Sequence, residues 1–453
     1  MSVGRRIPDP PPPASAQPVA TSQAPVVGEI EQFLQTALGA MTPEARAPQP
    51  GRPRLLPALC LWAGVLVCVL RGAPRQLAVW RLLCQTGLWD FPRFSLSDQA
   101  IYRRLAAAGT APLEQLFAHV LSVLQPRLAP YADHTLAPFA SDVVALDEST
   151  LDHVARRLPA LRDLPNGAHA LLPGRLSACF DLRRQLWRTV RHVPDPDTNE
   201  RRGAWALLAG LAPGTLVVAD LGYFGFRWFD DLTTAGYFWV SRLRQKTSYR
   251  VAHVAYQCGD SFDGLVWLGA HHPDRARYLV RLVRFRLGET TYQYLTNVTD
   301  PALFPLHEIA RVYQRRWDIE LAFLLVKKHL GVRLVWASKP EVVVLQLWAT
   351  LIISQVLQAL RQEIAGQAGV SSDAVSMALL VQYAPQYTAQ GQDVVAVFVT
   401  QGRALGLIRP ARRRTNGAPH IPPQAISPPP PDLARERVPK YAHRRGLPEP
   451  VRA

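Results

Sequence analysis

Sulfur is what this chain has least of, and acidic side chains are few beside the basic ones; each shortfall narrows the function classes. Among 453 residues there are only 5 cysteines and 3 methionines. The cysteines, Cys60, Cys68, Cys84, Cys179 and Cys258, are odd in number and include no CxxC pair. That argues against a disulfide framework and a zinc module, and it suits a reducing cytoplasm. Acids are outnumbered, 35 Asp/Glu against 51 Lys/Arg, for a net charge of +16. So basic a chain predicts a polyanionic partner, nucleic acid ahead of acidic lipid. Half of the excess is local, because residues 401–453 hold 11 Lys/Arg and 3 Asp/Glu. The apolar run Leu55–Leu70 is 16 residues long and contains Pro57 and Gly64. It falls short of the ~20 residues a membrane span needs and lies too far along the chain for a signal peptide, so no membrane is expected.

Proline and aliphatic residues are abundant, and their distribution divides the chain. Residues 1–27, with Pro10–Pro13, are predicted to be a disordered leader. Apolar residues at helical spacing, jointed by prolines, predict a helical N-terminal domain over 28–135. Inside it, Ser97 caps a short helix that presents Gln99, Tyr102, Arg103 and Arg104. Those are side chains a recognition helix would offer to DNA, and equally those of an ordinary solvated helix. Residues 136–246 read as strand, hairpin, helix, strand, helix, strand, an α/β pattern. Short alternating runs between Gly, Asp and Pro turns predict an inserted β subdomain at 247–305. The second part of the core, 306–365, includes an apolar helical stretch from Pro340. Weaker helical segments occupy 366–407, and a basic, proline-rich tail over 408–453 is expected to be disordered.

The most informative stretch runs from Tyr313 to Lys327. At about 100° per residue, Tyr313, Arg316, Glu320 and Lys327 fall in a stripe roughly 60° wide on an otherwise apolar helix. Alone, this is equally an amphipathic helix with an Arg316–Glu320 pair at i,i+4. Two upstream runs change the balance. Val143–Asp147 and Thr215–Asp220 are apolar, β-branched segments that each end in a carboxylate, and polar chemistry gathers at the carboxyl ends of strands in open α/β sheets. Two strand-end carboxylates and one on a helix match the needs of a two-metal phosphodiester site, where a pair of hard divalent cations about 4 Å apart takes oxygen ligands. Glu148 should face away from Asp147 across the strand, and Asp318 lies about 160° round the helix from Glu320.

Asp147, Asp220 and Glu320, with Tyr313, Arg316 and Lys327 completing Tyr-x2-Arg-x3-Glu-x6-Lys, resemble the DDE transposases of bacterial insertion sequences. More narrowly, they resemble the group named for its YREK signature. Thr296–Asp300 and Arg316–Phe323 add to the resemblance, which spans about residues 95–365. It implies a ribonuclease H-like core, a mixed sheet flanked by helices, with a β insertion and an all-helical N-terminal domain. It also implies two Mg2+ ions, replaceable by Mn2+, on Asp147, Asp220 and Glu320. Tyr313, Arg316 and Lys327 would hold phosphates, and Arg103 and Arg104 would contact the transposon end. The expected partner is double-stranded DNA, in a homodimeric synaptic complex at the bacterial nucleoid. The expected reaction is cleavage at inverted repeats followed by joining of 3′ ends to target DNA.

Two other readings use the same residues: a ribonuclease H-like nuclease or resolvase without strand joining, and a catalytically silent, transposase-derived DNA-binding protein. Some transposases of this type stack a flipped base on a tryptophan, for which Trp267 and Trp239 are the candidates. Glu148 and Leu221 depart from the usual residues after the two aspartates. His271 and His272 read as a turn.

Overall fold

The computed structural model describes residues 30–41, 55–151, 162–165, 174–194, 200–270, 273–330, 336–337, 339–410 and 417–441. The leader, the last residues of the tail and His271–His272 lie outside them.

Nine strands form one sheet in the order β3-β2-β1-β4-β5-β9-β8-β7-β6. β1 (Val143–Thr150) lies between β2 (Arg175–Asp181) and β4 (Leu216–Ala219). The hairpin of β2 and β3 (Leu186–Val193) is antiparallel to β1, whereas β4 and β5 (Phe238–Arg242) run parallel to it. Continuous apolar runs such as Val143–Leu146 and Leu216–Ala219 are buried along their length, as strands covered on both faces must be. The result is a large mixed sheet flanked by helices, the α/β class expected.

The region expected to be a separate β subdomain is a meander that continues the sheet. Strands β6 (Tyr249–Cys258), β7 (Ser261–Leu268), β8 (Val280–Leu287) and β9 (Thr290–Thr296) pair antiparallel in sequence. β9 then joins β5 through Val240↔Thr296, Ser241↔Leu295 and Arg242↔Tyr294. β5 would otherwise be an edge with unpaired backbone groups, and the meander removes that edge. A buried ion pair fixes the join: Arg281 donates to both carboxylate oxygens of Asp263 at 2.7 and 2.5 Å and to the Phe304 carbonyl at 2.6 Å. It thereby anchors the segment leading into the Leu306–Arg315 helix.

The opposite edge is closed by a side chain. Gln355 accepts from the Trp187 backbone N–H and donates to its carbonyl, both at 2.9 Å, so β3 ends against a helix and not in water. That helix, Pro340–Gln367, is apolar enough to cross a membrane by composition, but 94% of its most apolar window is buried inside the molecule. It is the core helix of the fold. Trp187 donates to Ser354 at 3.0 Å and packs on Phe323 at 4.9 Å, which places the carboxylate helix between sheet and long helix.

Of the N-terminal helices, Ala58–Leu70, Asp98–Ala107 and Ala111–Arg127 pack on the same long helix, and Ile30–Gly39 and Leu77–Arg81 pack on those three. Leu66, Leu116 and Val120 share one buried cluster with Leu351 and Ile353, so these helices have no core of their own. Ser97 caps its helix as expected, accepting from Ala100 N at 3.2 Å.

The tail departs from its expected disorder. Residues 417–441 lie along the meander as a strap: Ser427 N donates to Ala255 at 2.8 Å, Leu279 N to Arg435 at 2.9 Å and Arg437 N to Arg277 at 2.9 Å. Tyr441 reaches Asp230 at 2.6 Å. Prolines limit helix here to the single 3-10 turn Pro423–Ala425, and the extended chain they favour can lie beside a strand while the intervening residues supply the N–H donors.

Candidate active site: three carboxylates around an arginine

The parallel pairing of β1 with β4 reaches Leu146↔Ala219, so the next residue on each strand, Asp147 and Asp220, emerges side by side at the sheet's carboxyl edge. Asp147 accepts from the N–H of Glu148 at 2.8 Å. Asp220 accepts from Gly222 N at 2.8 Å and begins the 3-10 turn Leu221–Tyr223. Glu320 comes from the Trp317–Leu324 helix, which packs against β1. Burial pushes the Asp147 carboxyl up to about 7; the N–H of Glu148 and the Arg316 charge oppose that rise, and the charges of Asp220 and Glu320 add to it. Asp147 therefore senses both of the other carboxylates.

Between them lies Arg316. Its Nη2 is 2.6 Å from Glu320 Oε1 and its Nη1 is 3.5 Å from Asp147 Oδ2. Its Nε is buried without a hydrogen-bond partner. Tyr313 is buried beside it, its ring tilted against that of Tyr294 at 4.8 Å, and desolvation raises its hydroxyl to about 12, so it remains a neutral donor.

The expected single helix from Tyr313 to Lys327 is interrupted twice. Leu306–Arg315 ends at Arg316, Trp317–Leu324 follows, and Leu325–His329 is a turn of π-helix. The π turn re-aims Lys327, whose Nζ donates to the Thr150 carbonyl at the end of β1 at 2.9 Å. The four signature residues still converge on the ends of β1 and β4, although no unbroken stripe exists.

The neighbouring acids are structural. Glu148 takes Arg175 at 2.9 Å and the Ser177 hydroxyl, on the side away from Asp147. Asp318 is buried and paired with Arg315 at 2.6 Å and Gln185 at 2.8 Å.

The other candidates lie apart from this cluster. Arg103 is exposed, whereas Arg104 turns back to donate to the Leu56 carbonyl. That bond ties the Asp98–Ala107 helix to the bend that leads into the Ala58–Leu70 helix, so Arg104 is not presented as a recognition side chain would be. Trp239 is buried and stacked on Phe229 at 4.2 Å, and Trp267 is buried under Arg437, so neither offers a free face to a base.

Arg242 and Arg244 escape the sequence reading. Arg242 ends β5, near enough to Tyr313 for its charge to oppose the rise of that hydroxyl, and Arg244 lies over Phe224 and donates to Leu221 O at 2.9 Å. The signal that marked the aspartates, a charge at the end of an apolar strand, is present here too.

Among the described residues, no group of three or more His, Cys, Asp or Glu is gathered closely enough to hold an ion outright. The donor chemistry nevertheless fits hard divalent cations: Asp147 lies within electrostatic reach of Asp220 and Glu320, and the group bridging Asp147 and Glu320 is a single cation whose Nε is unsatisfied.

Comparison with known proteins agrees with this geometry. Residues 141–356 match the family described as Transposase DDE domain. The chain is 27% identical over 155 residues to "Putative transposase y4zB" of Sinorhizobium fredii (strain NBRC 101917 / NGR234), covering 33% of this chain and 43% of that one. It is 29% identical over 166 residues to "Transposase InsG for insertion sequence element IS4" of Escherichia coli (strain K12), covering 34% and 36%. The matched stretch thus spans less than half the length of either relative. A solved piggyBac transposase synaptic complex with hairpin DNA overlaps 87% of this chain and 85% of that chain at 9% identity, with a TM-score of 0.39, too loose a likeness to assign anything. The family match and the two relatives support a transposase of the DDE class.

Proposed function

We propose that this protein is a DNA transposase whose reaction centre is Asp147, Asp220 and Glu320. The observation that carries the reading is that Asp147 on β1 and Glu320 on its helix share one cation, Arg316, with Asp220 beside Asp147 on the neighbouring strand, inside the segment that matches the Transposase DDE domain. The three carboxylates would hold two divalent ions, Mg2+ with Mn2+ able to substitute, and bound ions supply an activated attacking oxygen and a stabilised leaving one. The chain's own part is positional. Tyr313, held neutral, donates to a phosphate oxygen. Arg316 can take a phosphate bidentately, and Lys327, Arg242 and Arg244 ring the same edge with positive charge. The substrate is double-stranded DNA at the element's inverted repeats, cut there and joined through its 3′ ends to target DNA. Synapsis of two ends calls for two copies of the chain. Arg103 is the exposed candidate for end contact in the N-terminal helices, and the +16 net charge suits the partner. The YREK grouping, the ribonuclease H-like core and a nucleoid location in the cytoplasm belong to the same reading.

The test is cleavage and joining of a duplex carrying the element's ends in the presence of Mg2+. Wild type should cut and join, and Glu320→Gln and Asp147→Asn should do neither. Retained activity in those variants sinks the assignment, and hydrolysis without joining would favour a nuclease.

A further inference from the structure

Resting on that reading, we infer that Arg316 is an internal competitor for the divalent ions: its guanidinium fills the carboxylate cluster when no DNA is bound, and a DNA phosphate draws it out, so that nucleic acid and ions load cooperatively.

One guanidinium spans two of the three carboxylates, at 2.6 Å from Glu320 and 3.5 Å from Asp147. A divalent ion would bind those oxygens at roughly 2.1 Å, so ion and guanidinium cannot share Glu320 Oε1 without two positive charges in near contact. One must leave.

Arg316 is built to be the one that leaves. Its neighbour Arg315 is locked, donating to Asp318 at 2.6 Å, to Asp133 at 3.0 Å and to the Leu182 carbonyl at 3.0 Å. Arg316 makes one strong bond and one at the limit of hydrogen-bonding range, with a buried Nε that no acceptor meets. Beyond these it meets Tyr313, through the hydroxyl and the ring at 6.0 Å, and the ring of Trp317 at 5.6 Å, ring contacts that tolerate sliding. It also occupies the break between two helical segments. A phosphate offers the paired acceptors that Arg316 lacks at rest, and the carboxylates it vacates become free for ions. Coupling of this kind is reciprocal: DNA tightens ion binding and ions tighten DNA binding. It keeps an ion-loaded site from assembling without substrate.

The experiment titrates Mn2+ into the full-length protein, reading free Mn2+ by electron paramagnetic resonance, with and without duplex DNA of the element's ends. Arg316→Gln alone should bind Mn2+ about tenfold tighter than wild type or more, the expected result of removing a unit charge a few ångströms from a divalent ion. DNA should tighten Mn2+ binding in wild type by a similar factor and leave Arg316→Gln nearly unmoved. Arg316→Lys, which keeps the charge, should stay near wild type and guards against a folding artefact. An Arg316→Gln affinity equal to or weaker than wild type overturns the inference. Glu320→Gln separates the two levels: if it leaves Mn2+ binding untouched, the carboxylate reading fails and takes this inference with it, whereas weakened binding with no gain in Arg316→Gln refutes the competitor role alone.

Discussion

Replacing Asp147 by asparagine should make the ion-free protein more stable, and increasingly so as the pH rises. Burial lifts the folded Asp147 carboxyl from the usual value of 3.8 to about 7. Between those two values the unfolded chain has released a proton that the folded chain keeps, so wild-type stability falls as pH climbs and levels off above about 7. A displacement of that size corresponds to at most about 4 kcal/mol. The side chain retains 17% exposure, and solvent screening reduces the figure to roughly 2–4 kcal/mol. Asparagine has the same shape, carries no charge and can still accept from the Glu148 N–H. For a chain of this length about 1 kcal/mol moves the melting point by ~1 °C. Circular-dichroism melts in EDTA should therefore place Asp147→Asn about 2–4 °C above wild type at pH 8, with the gap shrinking steadily towards pH 5. Added Mg2+ should raise the wild-type melting point more than that of the variant, because an ion relieves what asparagine has already removed. A variant that melts below wild type at pH 8, or a gap that ignores pH, would refute the claim that Asp147 is a desolvated carboxylate held in a cluster of like charge.

Further predictions follow from the frame around the site. Asp263→Ala leaves Arg281 buried and uncompensated and should cost about 3–5 kcal/mol in chemical denaturation, with the Asp263→Leu/Arg281→Met double variant recovering part of it. Tyr441→Phe removes a hydroxyl donor to Asp230 and should cost roughly 1.5–3 kcal/mol, with earlier proteolysis of the strap as the readout. Lys327→Met should change stability by less than about 1 kcal/mol, yet lower the slope of log Kd against log salt for DNA by about one.

The two aspartates were legible because each closes a fully apolar, β-branched run, and only a strand buried on both faces needs such a run. Glu320 and Arg316 were legible as a pair because four residues bring them to one side of a helix, and they are in contact. The break at Arg316 and the π turn at Leu325–His329 were not, since no proline or glycine marks them. They arise where Arg315, Asp318 and Lys327 are pulled towards groups distant in sequence. The strap over 417–441 was misread for a related reason. Composition registers how little apolar surface a proline-rich segment can bury alone, and it is blind to strands elsewhere that offer the segment acceptors, as Ala255 does. The meander's four strands could be read from alternation, but their attachment to β5 depends on partners 50 and more residues apart.

The most direct test of the central claim is anomalous diffraction from crystals of the protein with its DNA ends and Mn2+. The account predicts two manganese peaks about 4 Å apart, ligated by Asp147, Asp220 and Glu320, with Arg316 swung onto a phosphate. Manganese bound elsewhere, or Arg316 still on Glu320 while the DNA lies in the cleft, would contradict it.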